Sequence, residues 1–198
     1  GLPTFSPDGK QVAYITASYK HTSGIWVMDL ETGKKRRVAK RSAAQLAFSP
    51  DGKKLYFSMM VGDRWYYRFY DLYELNLQTK KSKRLTHGKR IRDFSVNPNG
   101  QEILVVRASP KGDQLQRYDL EKKEFHDWVK GGVYEQFAHP RFSPDGKKVV
   151  LSRFVPGVGW ELYLYAYKTQ SSVRITRNGL AMDLRPVWGL DGRFVYFS

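Results

Sequence analysis

Strand-length runs rich in Val, Ile, Tyr and Phe recur along the chain, and turn-forming residues separate them. Short runs of such residues predict β-strands. They read QVAYIT at 11–16, KLYFSM at 54–59, EILVVR at 102–107, KVVLSR at 148–153 and FVYFS at 194–198. A helical period of useful length accompanies none of them. The pattern therefore predicts an all-β chain.

A turn motif precedes each of these runs and repeats at nearly constant spacing. FSPDGK stands at 5–10, 48–53 and 142–147, with weaker copies VNPNGQ at 96–101 and WGLDGR at 188–193. Proline presets the first turn position, Asp or Asn can bond the backbone ahead, and Gly accepts a positive φ. We therefore interpret these residues as structural turn residues rather than catalytic or metal-binding ones. They are Asp8, Gly9, Asp51, Gly52, Asn99, Gly100, Asp145, Gly146, Asp191 and Gly192.

Two further strand patterns complete each repeat, so that a unit contains four strands, labelled A to D. Strand A precedes the SPDG turn and strand B follows it, while strands C read IWVMDL, LYELNL, LQRYDL and LYLYAY. Four antiparallel strands in a repeat of this length are typical of a β-propeller blade. We expect one propeller module over residues 1–198, with four full blades and a partial fifth, belonging to a ring of six to eight blades. The predicted blades cover 2–40, 44–87, 92–129, 138–177 and 184–198.

Composition narrows the function classes. The 198 residues contain no cysteine, which excludes a disulfide framework, a thiolate zinc site and a cysteine nucleophile. No apolar run approaches the length of a membrane-spanning helix. Known nucleophile, zinc and phosphate-binding motifs are absent, and the four histidines lie in different repeats without metal-ligand spacing. We expect no catalytic residue, metal or cofactor.

The repeated FSPDGK, the following aliphatic–aromatic strand, the strand-C pattern and the R-[LI]-T of strand D together resemble the TolB-like β-propeller repeat family. This resemblance covers essentially the whole chain. It implies a periplasmic or otherwise extracytoplasmic bacterial protein, peripheral to the outer membrane, that binds other proteins. In the family, TolB binds a peptidoglycan-associated lipoprotein. The same repeats also occur in propellers attached to serine peptidases of the prolyl oligopeptidase and tricorn classes.

The repeat also organises the net charge of +15. In a four-stranded antiparallel blade the A–B and C–D turns lie at one end. Many of the lysines stand in these turns, so this end should be rich in lysine. We call it the turn side. Solubility and protection of outer strands explain such charges first, and an acidic partner explains them second.

The opposite end, formed by the B–C and D–A loops, varies most between repeats, and we call it the loop side. Variable loops on a regular scaffold often carry binding residues, and Arg and aromatic residues are enriched in binding hot spots. The candidate partner-binding residues are Arg64, Trp65, Tyr66, Tyr67, Arg68, Phe69, Tyr70, Lys89, Arg90, Arg92, Phe154 and Trp160. Trp128 and Tyr134 are expected near the same side. In the competing interpretation, part of the run 58–71 extends strands B and C, and the rings pack between blades.

These observations favour a non-enzymatic scaffold that binds a protein or peptide with an acidic surface through its loop side. Nucleic acid is not the expected partner. Two alternatives stay open: the substrate-selecting propeller of a larger serine peptidase, and a binder of acidic polymers or lipopolysaccharide.

Overall fold

Four four-stranded antiparallel sheets and one two-stranded sheet make up the protein. The structure is a computed structural model that describes residues 3–16, 23–63, 67–177 and 182–198. Within each sheet the strands follow chain order, so neighbours in sequence are also hydrogen-bonded neighbours. No helix occurs within these ranges. The predicted all-β class with four-stranded antiparallel sheets is confirmed.

The strands are numbered in chain order. The first sheet contains β1 (Thr4–Phe5), β2 (Gln11–Thr16), β3 (Gly24–Asp29) and β4 (Lys35–Ala39). The second contains β5 (Gln45–Phe48), β6 (Lys54–Asp63), β7 (Tyr67–Asn76) and β8 (Ser82–Arg84). The third contains β9 (Ile91–Val96), β10 (Glu102–Arg107), β11 (Gln114–Asp119) and β12 (Phe125–Lys130). The fourth contains β13 (Gln136–Phe142), β14 (Lys148–Val155), β15 (Gly159–Ala166) and β16 (Ser172–Arg174), and the last pair is β17 (Val187–Trp188) and β18 (Val195–Tyr196).

The chain divides into two compact units, Gly1–Ile91 and Arg92–Ser198. In the first unit, alternating apolar residues of the first two sheets form one buried cluster that includes Ile25, Val27, Leu55 and Leu75. Alternation is expected because successive side chains of a strand point to opposite faces. The stacked rings of Phe57 and Tyr73, with centroids 5.2 Å apart, belong to the same cluster.

The second unit has its own core, built from the third and fourth sheets. It includes Leu104, Phe137, Leu151 and Trp128. The Trp128 indole N–H donates to the Tyr167 carbonyl at 3.0 Å, and its ring is 3% exposed. Trp128 lies near the loop end of β12, and its ring packs in the core of the second unit, which agrees with the packing interpretation.

The SPDG turns have the same local geometry wherever the sequence repeats. In the first copy Asp8 Oδ1 accepts hydrogen bonds from the Ser6 hydroxyl at 2.5 Å and from the Lys10 N–H at 3.0 Å. The bond from Ser6, followed by that from Lys10, lowers the pKa of Asp8. Gly9 has a φ of 70°, which a side chain would strain. Asp51 and Asp145 accept the equivalent bonds in their turns.

The A–B and C–D turns adjoin at one end of each four-stranded sheet. The N–H groups of Leu30, Leu77 and Leu120 donate to the carbonyls of Lys10, Lys53 and Gln101 at 2.9–3.0 Å. The fourth sheet repeats this bond between Tyr167 and Lys147 at 2.8 Å. The B–C connections and the segments that enter the next sheet lie at the other end. The turn side and the loop side are thus opposite ends of the same sheets.

Candidate functional site

The aromatic–basic segment 64–70 is more strand than loop. Strands β6 and β7 extend to Asp63 and from Tyr67, so the connection between them is 64–66. Arg64, Trp65 and Tyr66 lie outside the described residues, as do the side chains of Tyr67 and Arg68. Phe69 and Tyr70 are half-buried on β7. Phe69 and Tyr70 thus belong to an extended strand rather than to a B–C loop, because the strand-forming residues continue the β6–β7 ladder.

Beside these rings, at the loop end of the second sheet, Asp71 is a fully buried carboxylate. Its Oδ2 accepts from Arg84 Nη2 at 2.6 Å and from the Gly88 N–H at 2.9 Å. Its Oδ1 accepts from the Thr86 hydroxyl at 2.9 Å and from the Lys89 N–H at 3.1 Å. Both oxygens are therefore used, and together they fix the segment that leads from β8 to β9.

The donors around Asp71 decide its ionisation. Burial raises its pKa, but the bonds from the Gly88 and Lys89 N–H groups, Arg84 and Thr86 outweigh burial. The pKa of Asp71 is consequently lower than its ordinary value. A buried charge is tolerated only when it is fully paired. Asp71 is thus an ionised anchor for the loop at neutral pH.

This anchored loop places basic residues against the aromatic strand. The Arg90 guanidinium lies over the Phe69 ring, 4.8 Å from its centroid. Arg90 has a φ of 55° and an exposed side chain, while Lys89 is half-buried. Three predicted site residues, Phe69, Lys89 and Arg90, are therefore brought to one place at the loop side of the first unit. A guanidinium supported on a ring can bind a carboxylate while its other face stays on the ring.

Arg92 does not belong to a loop, as had been expected, but to strand β9. Its Nη1 donates to Asp113 Oδ2 and to Gln136 Oε1, both at 3.1 Å. Asp113 also accepts from the Phe137 N–H at 3.1 Å. Burial raises the pKa of Asp113, although the bond from Phe137 and the charge of Arg92 oppose this. Arg92 is therefore committed to a structural ion pair in the second unit.

Close backbone packing holds the loop end of the second unit together. Gly112 has a φ of 125°, and a side chain there would meet the Gly132 carbonyl oxygen at 2.1 Å. Glu135 accepts from Arg153 Nη2 through both oxygens, at 3.0 and 2.8 Å. Tyr134 is 69% exposed on the adjoining loop. The Tyr134 ring is thus displayed at this end.

Phe154 and Trp160 were expected in a loop, but they lie on β14 and β15. They form a directly opposed cross-strand pair, and their ring centroids are 5.7 Å apart. Both are half-buried. The hairpin is shorter than expected because strand-forming residues extend to Val155 and resume at Gly159. The pair stabilises the hairpin first and offers a partial aromatic surface second.

Next to this hairpin, Glu161 is the equivalent of Asp71 and repeats its pairing with the arginine of strand D. It is fully buried and forms an ion pair with Arg174, whose Nε also donates to the Thr176 carbonyl at 3.0 Å. The Thr176 hydroxyl accepts from the Leu162 N–H at 2.9 Å. The sequence analysis did not predict either of these buried ion pairs, Asp71–Arg84 or Glu161–Arg174. The usable signal was an acidic residue directly before the Leu-Tyr of strand C, together with the Arg-x-Thr of strand D.

One histidine in the second unit has an unusual environment. His139 has a φ of 52°, and its backbone N–H donates to Asp93 Oδ2 at 2.8 Å. Its ring Nδ1 is buried without a hydrogen-bond partner within the described part of the chain. Burial lowers the pKa of His139, so the ring is neutral at neutral pH. Across the same ranges, no group of three or more His, Asp or Glu residues could hold a metal ion, and no helix could span a membrane.

Comparison with known proteins gives the fold a context. No family model matches the chain. The Tol-Pal system protein TolB of Francisella tularensis is 28% identical over 151 residues, covering 75% of this chain and 34% of that protein. The chain thus spans about a third of the length of this curated relative.

Solved structures of other proteins also resemble the chain. TolB from Acinetobacter baumannii superposes with a TM-score of 0.83 at 24% identity, covering 98% of this chain and 47% of that one. A structure from a study of two prolyl endopeptidases superposes with a TM-score of 0.66 at 16% identity, covering 95% of this chain and 30% of that one. The chain therefore has a β-propeller fold, and among these relatives it is most similar to TolB in both sequence and structure.

Proposed function

We propose that this chain is a non-enzymatic β-propeller module of the bacterial cell envelope that binds a protein partner through its loop side. The name of its Francisella relative places that protein in the Tol-Pal system, and this supports a periplasmic location for the present chain. The observation that carries the proposal is the arrangement at the loop end of the second sheet. There a buried, ionised Asp71 fixes the loop that holds Arg90 over Phe69.

This arrangement suits an acidic protein or peptide. Arg90 is exposed, and its guanidinium is oriented by the ring beneath it, so little conformational entropy is lost when a carboxylate binds. Phe69 supplies apolar surface beside the charge, whereas the half-buried Tyr70 lies on the opposite face of β7. We propose further contacts of the same surface from the five residues that directly precede Phe69: Arg64, Trp65, Tyr66, Tyr67 and Arg68.

We further propose that the sheets are blades with the boundaries 2–40, 44–87, 92–129, 138–177 and 184–198, and that further blades complete the ring. Exposed apolar side chains support this. Phe5 is 64% exposed, whereas the equivalent Phe48 and Phe142 are 7% and 8% exposed. Tyr196 on β18 is 64% exposed, whereas its equivalent Val150 on β14 is buried.

Isothermal titration against the soluble domain of a peptidoglycan-associated lipoprotein from the same organism tests the partner-binding role. The double variant Phe69→Ala, Arg90→Glu should raise the Kd by roughly 30-fold or more, as expected for a hot spot of about 2 kcal/mol. Arg90→Glu alone should retain a large part of this effect, and its exposed side chain leaves the core intact.

Lys122→Glu is the control, because it makes the same change of charge on the turn side of the second unit. It should bind like the parent protein. A parent protein that does not bind the lipoprotein domain, or variants at positions 69 and 90 that bind unchanged, would contradict the proposal.

A second candidate is the propeller of a larger serine peptidase, which the likeness to the prolyl endopeptidase structure favours. This likeness has lower identity and a lower TM-score than the likeness to TolB. Hydrolysis of proline-containing peptide substrates by the full-length gene product, blocked by a serine-directed phosphonate, would support the peptidase and count against the scaffold.

A further inference from the structure

The turn side of the first unit carries a dense group of cations. Its A–B and C–D turns, residues 6–11, 29–36, 49–54 and 76–83, contain nine basic side chains and four acidic ones. The basic residues are Lys10, Lys34, Lys35, Arg36, Lys53, Lys54, Lys80, Lys81 and Lys83. All of them except Lys54 are exposed. Lys54 pairs with Glu74 at 3.1 Å, the one ion pair that this group forms among the described residues.

These turns form one continuous surface. Within the first sheet the Leu30 N–H donates to the Lys10 carbonyl at 2.9 Å, which joins its two turns. Between the first and second sheets, Arg36 Nη1 donates to the Leu77 carbonyl at 3.2 Å. A side chain at Gly52 would lie 3.8 Å from Pro7, so the two SPDG turns also touch. The lysines of both sheets are therefore neighbours.

Three of the four acidic residues of these turns accept hydrogen bonds within their own turns. Asp8 and Asp51 accept bonds from the Ser hydroxyl and the backbone N–H within their own turns. Asp29 accepts from the N–H and hydroxyl of Thr32 at 2.8 and 2.7 Å. These hydrogen bonds occupy the carboxylates of Asp8, Asp29 and Asp51 within the turns, while all the lysines of the turns except Lys54 are exposed.

The second unit shows that the fold does not require this charge. Its corresponding turns, residues 97–102, 119–126, 143–148 and 166–173, contain five basic and five acidic side chains. Glu124 stands where the first unit has Lys34 and Lys81, and Glu102 stands where it has Gln11 and Lys54. Turn chemistry is the same in both units, so the excess of lysine in the first unit calls for another explanation.

The chemistry of the surface indicates its ligand. Eight of the nine cations are lysines, which act as mobile point charges rather than as the fixed forks that read a base or a single phosphate. The four turns contain no aromatic residue on which a base could stack. Lysine clusters of this kind are attracted to anionic lipid surfaces through additive, salt-dependent interactions.

We propose that the turn side of residues 1–91 docks on a bilayer that displays anionic lipid headgroups. This surface is independent of the loop side proposed above for partner binding, and it lies at the opposite end of the same two sheets. A protein held to a membrane by its turn side would present Phe69 and Arg90 away from the lipid.

Cosedimentation with vesicles tests the proposal. Vesicles of phosphatidylcholine with three parts in ten of phosphatidylglycerol should bind the intact chain at low salt, and vesicles of phosphatidylcholine alone should not. The quadruple variant Lys10→Glu, Lys34→Glu, Lys53→Glu, Lys81→Glu should lose roughly tenfold or more of the apparent affinity.

The matched control reverses four charges in the equivalent turns of the second unit: Lys122→Glu, Lys147→Glu, Lys148→Glu, Lys168→Glu. Both variants change the net charge equally, and thermal melting checks that both are folded. The control should lose much less affinity than the first variant. Equal losses, or no binding of the intact chain to anionic vesicles, would overturn the proposal. Tighter binding of duplex DNA at equal phosphate concentration would overturn it in favour of a nucleic acid.

Discussion

Two buried carboxylates lie at the loop ends of the two units, and their pKa values shift in opposite directions. Asp71 accepts four hydrogen bonds, from Arg84, Thr86, Gly88 and Lys89, and its pKa is lowered. Asp113 has a raised pKa because burial dominates over the Phe137 N–H, the Arg92 guanidinium and a backbone bond from Ser109. Both carboxylates are buried, but only the donors of Asp71 outweigh the effect of burial on the pKa.

The difference shows two ways to hold a loop. In the first unit an ionised side chain gathers N–H groups of the loop and leaves Arg90 displayed on Phe69. In the second unit, backbone groups approach closely at Gly112 and Gly132, and Arg92 forms an ion pair with Asp113. The first arrangement leaves a cation for a partner, whereas the second is self-contained.

The largest expected effect comes from the close approach in the second unit. Gly112→Ala would place a methyl group 2.1 Å from the Gly132 carbonyl oxygen, so the backbone must move. We expect a loss of about 4 kcal/mol of unfolding free energy, measured by urea denaturation. The matched change Gly88→Ala meets no atom within 4 Å at a φ of 64°, and should cost about 1 kcal/mol. Equal losses would show that steric packing does not distinguish the loops.

Removing the charge of Asp71 should have the next largest effect. Asp71→Asn leaves Arg84 without its carboxylate in a buried site, and should cost about 3 kcal/mol. Asp113→Asn removes a carboxylate whose ionisation burial already disfavours, and should cost about 1 kcal/mol or less. Chemical denaturation at neutral pH compares the two. A larger loss for Asp113→Asn would invert the comparison.

The contributions of Asp71 and Asp113 to the free energy of unfolding should change in opposite directions as the pH falls. Because the folded state lowers the pKa of Asp71, its stabilisation is present above the ordinary pKa of about 4 and is lost as the pH falls through the folded value. The gap between the parent protein and Asp71→Asn should therefore narrow in acid.

For Asp113 the sign is reversed. Its raised pKa means that the ionised form is a penalty above the folded pKa, and protonation relieves it. The parent protein should gain stability relative to Asp113→Asn as the pH falls through that range. Denaturation curves between pH 7 and about pH 3 measure both differences. Parallel curves for the two variants would contradict the assignment.

The smallest expected effect concerns the displayed cation. Arg90→Ala removes an exposed contact with Phe69 and should cost about 0.5 kcal/mol of stability. Its effect on partner binding should be much larger than its effect on unfolding. A loss of stability comparable with that of Asp71→Asn would make Arg90 a structural residue.

Much of the fold follows from local sequence because its determinants are local. The Ser, Asp and Gly of each turn bond within six residues, so the repeat itself reveals them. The ends of β6 and β7 were less predictable. Arg and aromatic residues suit a strand and a binding loop equally, and the pairing of Asp63 with Tyr67 decides between them.

The candidate site was predictable in composition but not in arrangement. Phe69 and Arg90 were named for their residue types, whereas Asp71 was not, because its partners come from β8 and the following loop. For the same reason, the sequence left open whether the Trp128 ring packs in the core or binds a partner. A ring on an outer strand can face solvent or the neighbouring sheet, and the contact with Tyr167 depends on tertiary packing.

Cysteine footprinting measures most directly whether the loop side of the first unit is the partner surface. The chain has no cysteine, so His87→Cys, in the loop that carries Arg90, and Lys122→Cys each introduce a single reactive thiol. With saturating lipoprotein domain, maleimide labelling should slow several-fold at position 87 and stay unchanged at position 122. Protection at position 122 without protection at position 87 would contradict the account.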